Sequence, residues 1–230
     1  MNTPLDAFVK TDGNREAFYR IVSLTQPHDK PERLFLVGPE QSGKTTLVRA
    51  RQLDKDLLST KRVLYRLCAE LPKAMRANVY DGFFEDLGTH EVLLLDDFDG
   101  FFEDEEIGPK LCQLLLAERE RHGLDTVITS RKPLAAYDLS LFGGVLDKFE
   151  EITMDELDAD GLEIYVTELV GAYTEEGSSP VLSSEAISYI ARDLGEKPDM
   201  MRKAVSFLMT QYEGEPGVEL GRNVVAATLA

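Results

Sequence analysis

Short apolar runs alternate with amphipathic stretches through the first two thirds of the chain. Leu34–Val37 is continuously apolar and ends at Gly38, which predicts a buried strand. A helix is expected from Thr45 to about Leu53. Arg62–Leu67 predicts a second strand, and Leu71–Leu87 one or two amphipathic helices. Glu91–Leu95 is almost wholly apolar, the pattern of a strand covered on both faces. Ile107–His122 predicts a helix with Leu111, Leu114, Leu115 and Ala117 on one face. Thr126–Thr129 and Phe149–Thr153 read as a fourth and a fifth strand. Strands that alternate with helices in this way argue for a parallel α/β sheet.

The pattern changes after Thr153. Asp158 and Asp160 are candidate caps for a helix through Ile164, Val166, Leu169 and Val170. Gly177–Pro180 reads as a loop, and Ser183 and Ser184 open a helix through Ala186, Ile187, Ile190 and Ala191. Gly195–Pro198 is a break before a helix over Asp199–Tyr212, Glu213–Gly217 is a turn, and Glu219–Leu229 is a last helix. The expected organisation is an α/β domain over residues 1–153 and a small all-helical domain over residues 154–230.

Composition narrows the function. The chain has 230 residues, 43% of them hydrophobic and 29% charged, which are ordinary globular values. Its net charge of −17 repels phosphate backbones at long range and weighs against tight, independent DNA binding. Cys68 and Cys112 form no C-x-x-C pair, and His28, His90 and His122 are scattered, so no zinc site is expected. Neither a membrane-spanning run nor an apolar signal core stands out, and the expected compartment is the cytoplasm.

Two stretches carry chemistry. Gly38-Pro39-Glu40-Gln41-Ser42-Gly43-Lys44-Thr45 fits G-x-x-x-x-G-K-[ST] without a mismatch, between an apolar strand and a helix. Glycines let such a loop turn its N–H groups inward toward phosphate, and the helix N-terminus that follows favours an anion. Lys44 is the mobile cation for the β- and γ-phosphates, and Thr45 offers Mg²⁺ a hydroxyl. Val92-Leu93-Leu94-Leu95-Asp96-Asp97 brings two carboxylates to a strand end, where ligand crevices of parallel sheets lie. Asp96 is the candidate metal ligand, and Asp97 the residue that orients or deprotonates water. The acids that follow, Asp99, Glu103, Asp104, Glu105 and Glu106, read as a hydrated face.

With these motifs in place, the chain resembles the AAA+ nucleotide-binding module of the bacterial replication initiator DnaA and its shorter Hda-type relatives. The resemblance runs from about Leu5 to Ala230. Phe8-Val9 with Asn14 and Ala17 is similar to the stretch that cradles adenine in that family. Gly38–Thr45, with Thr46 next to it, matches the phosphate loop. Val63-Leu64-Tyr65 with Ala69-Glu70 matches the second strand, and Leu94–Asp97 the acidic strand. Thr129-Ser130 with Pro133 resembles the segment called sensor 1, and Met201-Arg202 the lid arginine called sensor 2.

The resemblance implies a five-stranded parallel sheet of order 5-1-4-3-2 with a helical lid. It also implies ATP or ADP and Mg²⁺ as ligands, and a polar contact from Ser130 or Thr129 to the γ-phosphate. Arg131 stands where the initiators carry an aspartate. Lys148, in Val145–Phe149, stands at the arginine-finger position, and lysine lacks the planar fork that grips phosphate. Self-assembly through that residue is therefore not expected. The implied role is replication initiation or its control, with slow ATP hydrolysis, protein partners from the replication machinery and a weak contact with single-stranded DNA. An adaptor without turnover is the alternative, and a small-molecule kinase a more distant one. The initiators' C-terminal DNA-binding domain and a clamp-binding motif are not seen, which leaves an excised module or a stand-alone relative. Ala186–Leu208 superficially reads as a helix-turn-helix, but it offers too few basic residues for phosphate contacts, and the lid reading is preferred.

Overall fold

The structure is a computed structural model. It describes residues 8–24, 26, 29–53, 61–77, 84, 86–138, 142, 144–174, 180–194, 198–212 and 218–229. The chain divides into two compact units, one of Gly13–Glu156 with Phe8, the other of Leu157–Ala230 with Val9–Asp12.

In the first unit the strands are β1 (Arg33–Val37), β2 (Val63–Leu67), β3 (Val92–Asp96), β4 (Asp125–Ser130) and β5 (Glu150–Thr153). All pair in parallel, in the order β2-β3-β4-β1-β5. That is the expected order read from the other edge. The helices are α1 (Arg15–Ser23), α2 (Lys44–Leu53), α3 (Glu70–Arg76) and α4 (Gly108–His122).

The strands read as unbroken apolar runs because alternate residues feed two separate cores. Leu34, Leu36, Val92, Leu94 and Val127 point to one face, against Ile21, Leu47 and Val48 of α1 and α2. Phe35, Val37, Leu93, Leu95 and Ile128 point to the other, against Leu71, Leu111 and Leu115 of α3 and α4. Helix α1 was not named from the pattern, although Ala17, Phe18, Ile21 and Leu24 are all buried at helical spacing.

One face was misread. In α4 the buried stripe is Leu111, Cys112, Leu115, Leu116 and Arg119, while Leu114 is 45% exposed and Ala117 faces solvent. Successive helical residues turn by about 100°, so a stripe centred between Leu111 and Leu116 puts both outside it.

The second unit consists of α5 (Ala159–Thr174), α6 (Ser184–Leu194), α7 (Pro198–Gln211) and α8 (Arg222–Leu229). They close over Val166, Ile190, Met201, Val205, Leu208 and Val225. The Asp158 carboxylate accepts from Gly161 N–H (2.8 Å) and the Ser183 hydroxyl from Ala186 N–H (3.2 Å), so both cap helices. This helical unit carries one addition. β6 (Val181–Leu182) and β7 (Glu219–Leu220) form a parallel pair, and the last helix starts only at Arg222. Two-residue strands are too short to leave an alternating pattern. The expected loop at 177–179, break at 195–197 and turn at 213–217 lie outside the described residues, as does the middle of the 71–87 stretch.

The α4 register makes a direct test. Leu115→Ala should destabilise the protein by about 2–5 kcal/mol in urea unfolding, because it opens a cavity in the core. Leu114→Ala should change stability by no more than about 0.5 kcal/mol. Equal effects would contradict the observed face.

Candidate functional site

The C-terminal ends of β1, β3 and β4 lie side by side, and each delivers one part of the site. β1 runs straight into the loop Gly38–Thr45, whose start is tied to β4 by Gly38 N–H to the Ser130 carbonyl (3.2 Å). Gly38 has no room for a side chain, since a Cβ there would come 2.2 Å from the Met154 carbonyl oxygen. Gln41 (φ 69°) and Gly43 (φ 90°) both take left-handed backbone, which curls the loop on itself. Glycine adopts that region freely, whereas Gln41 holds it at some cost in strain.

Lys44 folds back over this loop. Its ammonium donates to the carbonyls of Gly38 (2.6 Å) and Pro39 (2.5 Å) and to the Ser42 hydroxyl (3.1 Å). Lys44 and Ser42 are buried. Burial pulls the Lys44 pKa below the ordinary lysine value, against the field of Asp96, Asp99 and Asp97. Among the described residues no carboxylate comes within ion-pair distance of this ammonium, which rests on neutral oxygens.

Asp96 is the hub. It ends β3 at 1% exposure. Thr45 Oγ1 (3.0 Å) and Thr129 Oγ1 (2.6 Å) both donate to its Oδ1, and the Tyr65 hydroxyl donates to its Oδ2 (2.7 Å). Arg49 Nε in turn donates to the Tyr65 oxygen at 3.2 Å, with its guanidinium 5.6 Å from the ring centre. Burial pushes the Tyr65 phenol up to about 12, so it remains a donor at neutral pH. Thr129 also accepts from Asp97 N–H (2.9 Å) and so clamps both acids.

Asp97 itself sits in left-handed backbone (φ 55°) with a half-buried side chain. Its pKa is raised, first by burial and then by Asp99 and Asp96, with Arg131 opposing.

Asp99 corrects the sequence reading, which assigned it to a hydrated face. It is 7% exposed. The 3-10 turn Phe98–Glu103 that carries it is anchored by Phe98, whose ring meets Phe35, Phe101 and Tyr137 at 5.2–5.8 Å. Asp99 accepts from Arg131 N–H (2.9 Å) and the Tyr137 hydroxyl (2.9 Å). Burial alone would raise its pKa. These bonds and the Arg131 charge outweigh burial and hold it below the ordinary value. Ser130 is drawn into the same knot, 2.7 Å from both the Lys132 carbonyl and the Tyr137 hydroxyl. Thr129, not Ser130, touches the acidic strand. Glu103, Glu105 and Glu106 are exposed, as the hydrated reading expects, whereas Asp104 is part-buried and accepts from Arg76 (2.7 Å) and from Ile107 N–H (3.0 Å).

The remaining expected residues fall in several places. Thr45 and Thr46 are exposed at the start of α2. Phe8 is buried, stacks on Phe18 (5.8 Å, 12° between planes) and lies 3.6 Å from where a Cβ on Gly43 would be. Asn14 is buried immediately before α1. Val9 and Arg202 belong to the second unit, where Arg202 is exposed and donates to the Tyr165 hydroxyl at 3.3 Å. Lys148 donates to Glu120 (2.9 Å), which also accepts from Arg33 (3.0 Å) and Arg119.

Thr45 Oγ1 and Asp96 Oδ1 are hard oxygen donors of the kind Mg²⁺ takes, and they converge at one point. Among the described residues no group of three or more His, Cys, Asp or Glu could hold a metal alone. The donor set fits a magnesium ion that completes its shell with phosphate oxygens and water. Tyr65 and Asp99 were missed as site residues. Their contribution depends on which strands and turns become neighbours.

Known proteins agree with this architecture. Domain III of the Thermotoga maritima replication initiation protein DnaA superposes with a TM-score of 0.71 at 17% identity, over 97% of this chain and 93% of that one. A replication initiator DnaA bound to AMPPCP and single-stranded DNA gives 0.66 at 19% identity, over 86% of this chain. The present chain spans 64% of the length of that initiator. The DnaC helicase loader gives 0.52 at 18% identity, over 65% of this chain and 95% of that one. At such identities these likenesses establish the fold alone. No curated protein matches the sequence. The bacterial DnaA ATPase domain family matches residues 2–139, more than half of the chain, and this protein therefore belongs to that family, with the AAA+ fold.

Proposed function

We propose that this chain binds ATP and ADP with magnesium at Gly38–Thr45 and Asp96, hydrolyses ATP slowly, and acts in replication initiation or its control. The convergence of Lys44, Thr45 and Asp96 at the ends of β1 and β3 carries the reading. Gln41, Ser42, Gly43 and Thr46 contribute loop and helix N–H groups to the phosphates, and Gly38, tied to β4, lets the chain enter the loop where no side chain fits. Lys44 exchanges the neutral carbonyls it now caps for phosphate oxygens, which offer a buried cation a better partner. Thr45 and Asp96 would hold the magnesium ion, directly or through water. When bound, that ion supplies charge stabilisation to the phosphoryl oxygens.

Asp97 is the candidate base for water. Its raised pKa makes it a stronger proton acceptor than an ordinary aspartate. Thr129 positions both acids. Phe8, Val9 and Asn14 are assigned to the base, and Ser130 and Arg202 to sensing of the phosphates.

The replication role rests on family membership, and the DnaA initiator solved with AMPPCP and single-stranded DNA supports it. Protein partners of the replication machinery fit the acidic surface better than nucleic acid does, and a DNA contact would be weak at a net charge of −17. Among the described residues no helix is long and apolar enough to cross a membrane. We place the protein in the cytoplasm, where such machinery works. Lys148 is engaged by Glu120 of the same chain, which favours a second reading: a nucleotide-gated adaptor with little turnover.

Isothermal titration with Mg-ATP should show binding by the wild type and a loss of about a hundredfold in Lys44→Ala, which removes charge-assisted bonds to the phosphates. Retained affinity in that variant would sink the site assignment. Asp97→Asn should bind ATP within a few-fold of wild type while phosphate release drops to the level of Lys44→Ala. If the wild type itself releases no more phosphate than Lys44→Ala, the adaptor reading replaces the ATPase.

A further inference from the structure

The hydrogen bonds on Asp96 are shared unevenly between its two oxygens. Thr45 (3.0 Å) and Thr129 (2.6 Å) both donate to Oδ1. Among the described residues Oδ2 receives one bond, from the Tyr65 hydroxyl at 2.7 Å. An ionised carboxylate offers about two acceptor sites on each oxygen, so Oδ1 is filled and one site on Oδ2 is left. The two bonds on Oδ1 act as a pivot and by themselves would leave Oδ2 free to swing. Tyr65 stops that swing, so the plane of the carboxylate is set from β2.

Tyr65 is itself braced. Arg49 Nε donates to its oxygen at 3.2 Å, and the guanidinium lies 5.6 Å from the ring centre. Arg49 follows Thr45 by four residues in α2, so the two project from one side of that helix. Helix α2 therefore reaches Asp96 twice, at Oδ1 through Thr45 and at Oδ2 through Arg49 and Tyr65. The Tyr65 ring packs against the core beneath α1 and α2, a task that phenylalanine would perform as well. Its hydroxyl serves Asp96 and Arg49.

A divalent cation feels this restraint. Magnesium is small, holds about six oxygens in a strict octahedron and keeps several waters among them. Calcium is larger, takes about six to eight oxygens and favours carboxylates that can turn to offer one oxygen or both. A carboxylate fixed in its plane, with one acceptor site left, suits the smaller ion.

We propose that Tyr65, braced by Arg49, makes the nucleotide site selective for magnesium over calcium by locking the Asp96 carboxylate. The inference rests on the magnesium-nucleotide reading above and names the residues that choose the ion. Tyr65 is a positioning residue, acting on the metal through Asp96.

The test is equilibrium binding of a fluorescent, non-hydrolysable ATP analogue to the full chain, in saturating Mg²⁺ and in saturating Ca²⁺. Wild type, Tyr65→Phe and Arg49→Gln are compared, and the readout is the ratio of the affinity in magnesium to that in calcium. We expect the wild type to favour magnesium. Tyr65→Phe should lower the ratio about tenfold, the scale of one hydrogen bond to a charged group, and Arg49→Gln should lower it less. If Tyr65→Phe shows no cooperative thermal unfolding, the exposed Arg49→Gln substitution decides alone. A wild type without a preference, or a ratio unchanged in the variants because both ions are weakened equally or not at all, would overturn the proposal and leave nucleotide binding standing. Failure of the wild type to bind the analogue in either ion would overturn both.

Discussion

A carboxylate that is 1% exposed at the end of a parallel sheet is stable only if its charge is met from close by, and Asp96 is met by three hydroxyls. Thr45 comes from the phosphate loop, Tyr65 from β2 and Thr129 from β4. Each requirement on Asp96 is therefore a requirement on the strand order. Only a sheet with β3 between β2 and β4, and with β4 beside β1, brings these donors to one oxygen pair. The two hydrophobic cores that cover the sheet serve the same end, because they fix the register in which the strands terminate.

Among the described residues, charge around that hub is balanced without close ion pairs at the centre. Lys44 rests on carbonyls, and Arg131 hangs between Glu40, Asp97 and Asp99 at 3.3–3.9 Å. Close pairing appears at the periphery instead, as in Lys148 with Glu120 or Arg76 with Asp104. Cations left on weak partners beside buried acids give an anionic ligand an electrostatic reason to enter. Thr129 and the Phe98 turn hold the acids in place meanwhile.

Much of this was legible in the residue order. Strands such as Leu34–Val37 and Glu91–Leu95 announce themselves because both faces are buried, and the Gly38–Thr45 spacing fixes the loop chemistry locally. What stayed hidden depends on neighbours distant in sequence. Tyr65 reads as an ordinary strand aromatic until β2 pairs with β3. Asp99 looks like one more acid in an acidic run until Phe98 buries the turn beneath it. Leu114 was assigned to the core because leucine repeats blur the helical phase, and only the packed partner decides which stripe is covered. The two-residue strands β6 and β7 have no pattern to read.

The central claim is that Asp96, Thr45 and Lys44 form a site for a magnesium nucleotide in the folded chain. The most direct measurement is the thermal midpoint of the wild-type protein as Mg-ATP is raised from zero to large excess. A ligand that binds only the folded state must stabilise it in proportion to the logarithm of its concentration. The account expects a midpoint that climbs with Mg-ATP and climbs less when the metal is removed with EDTA. A midpoint that stays constant at saturating Mg-ATP would contradict it.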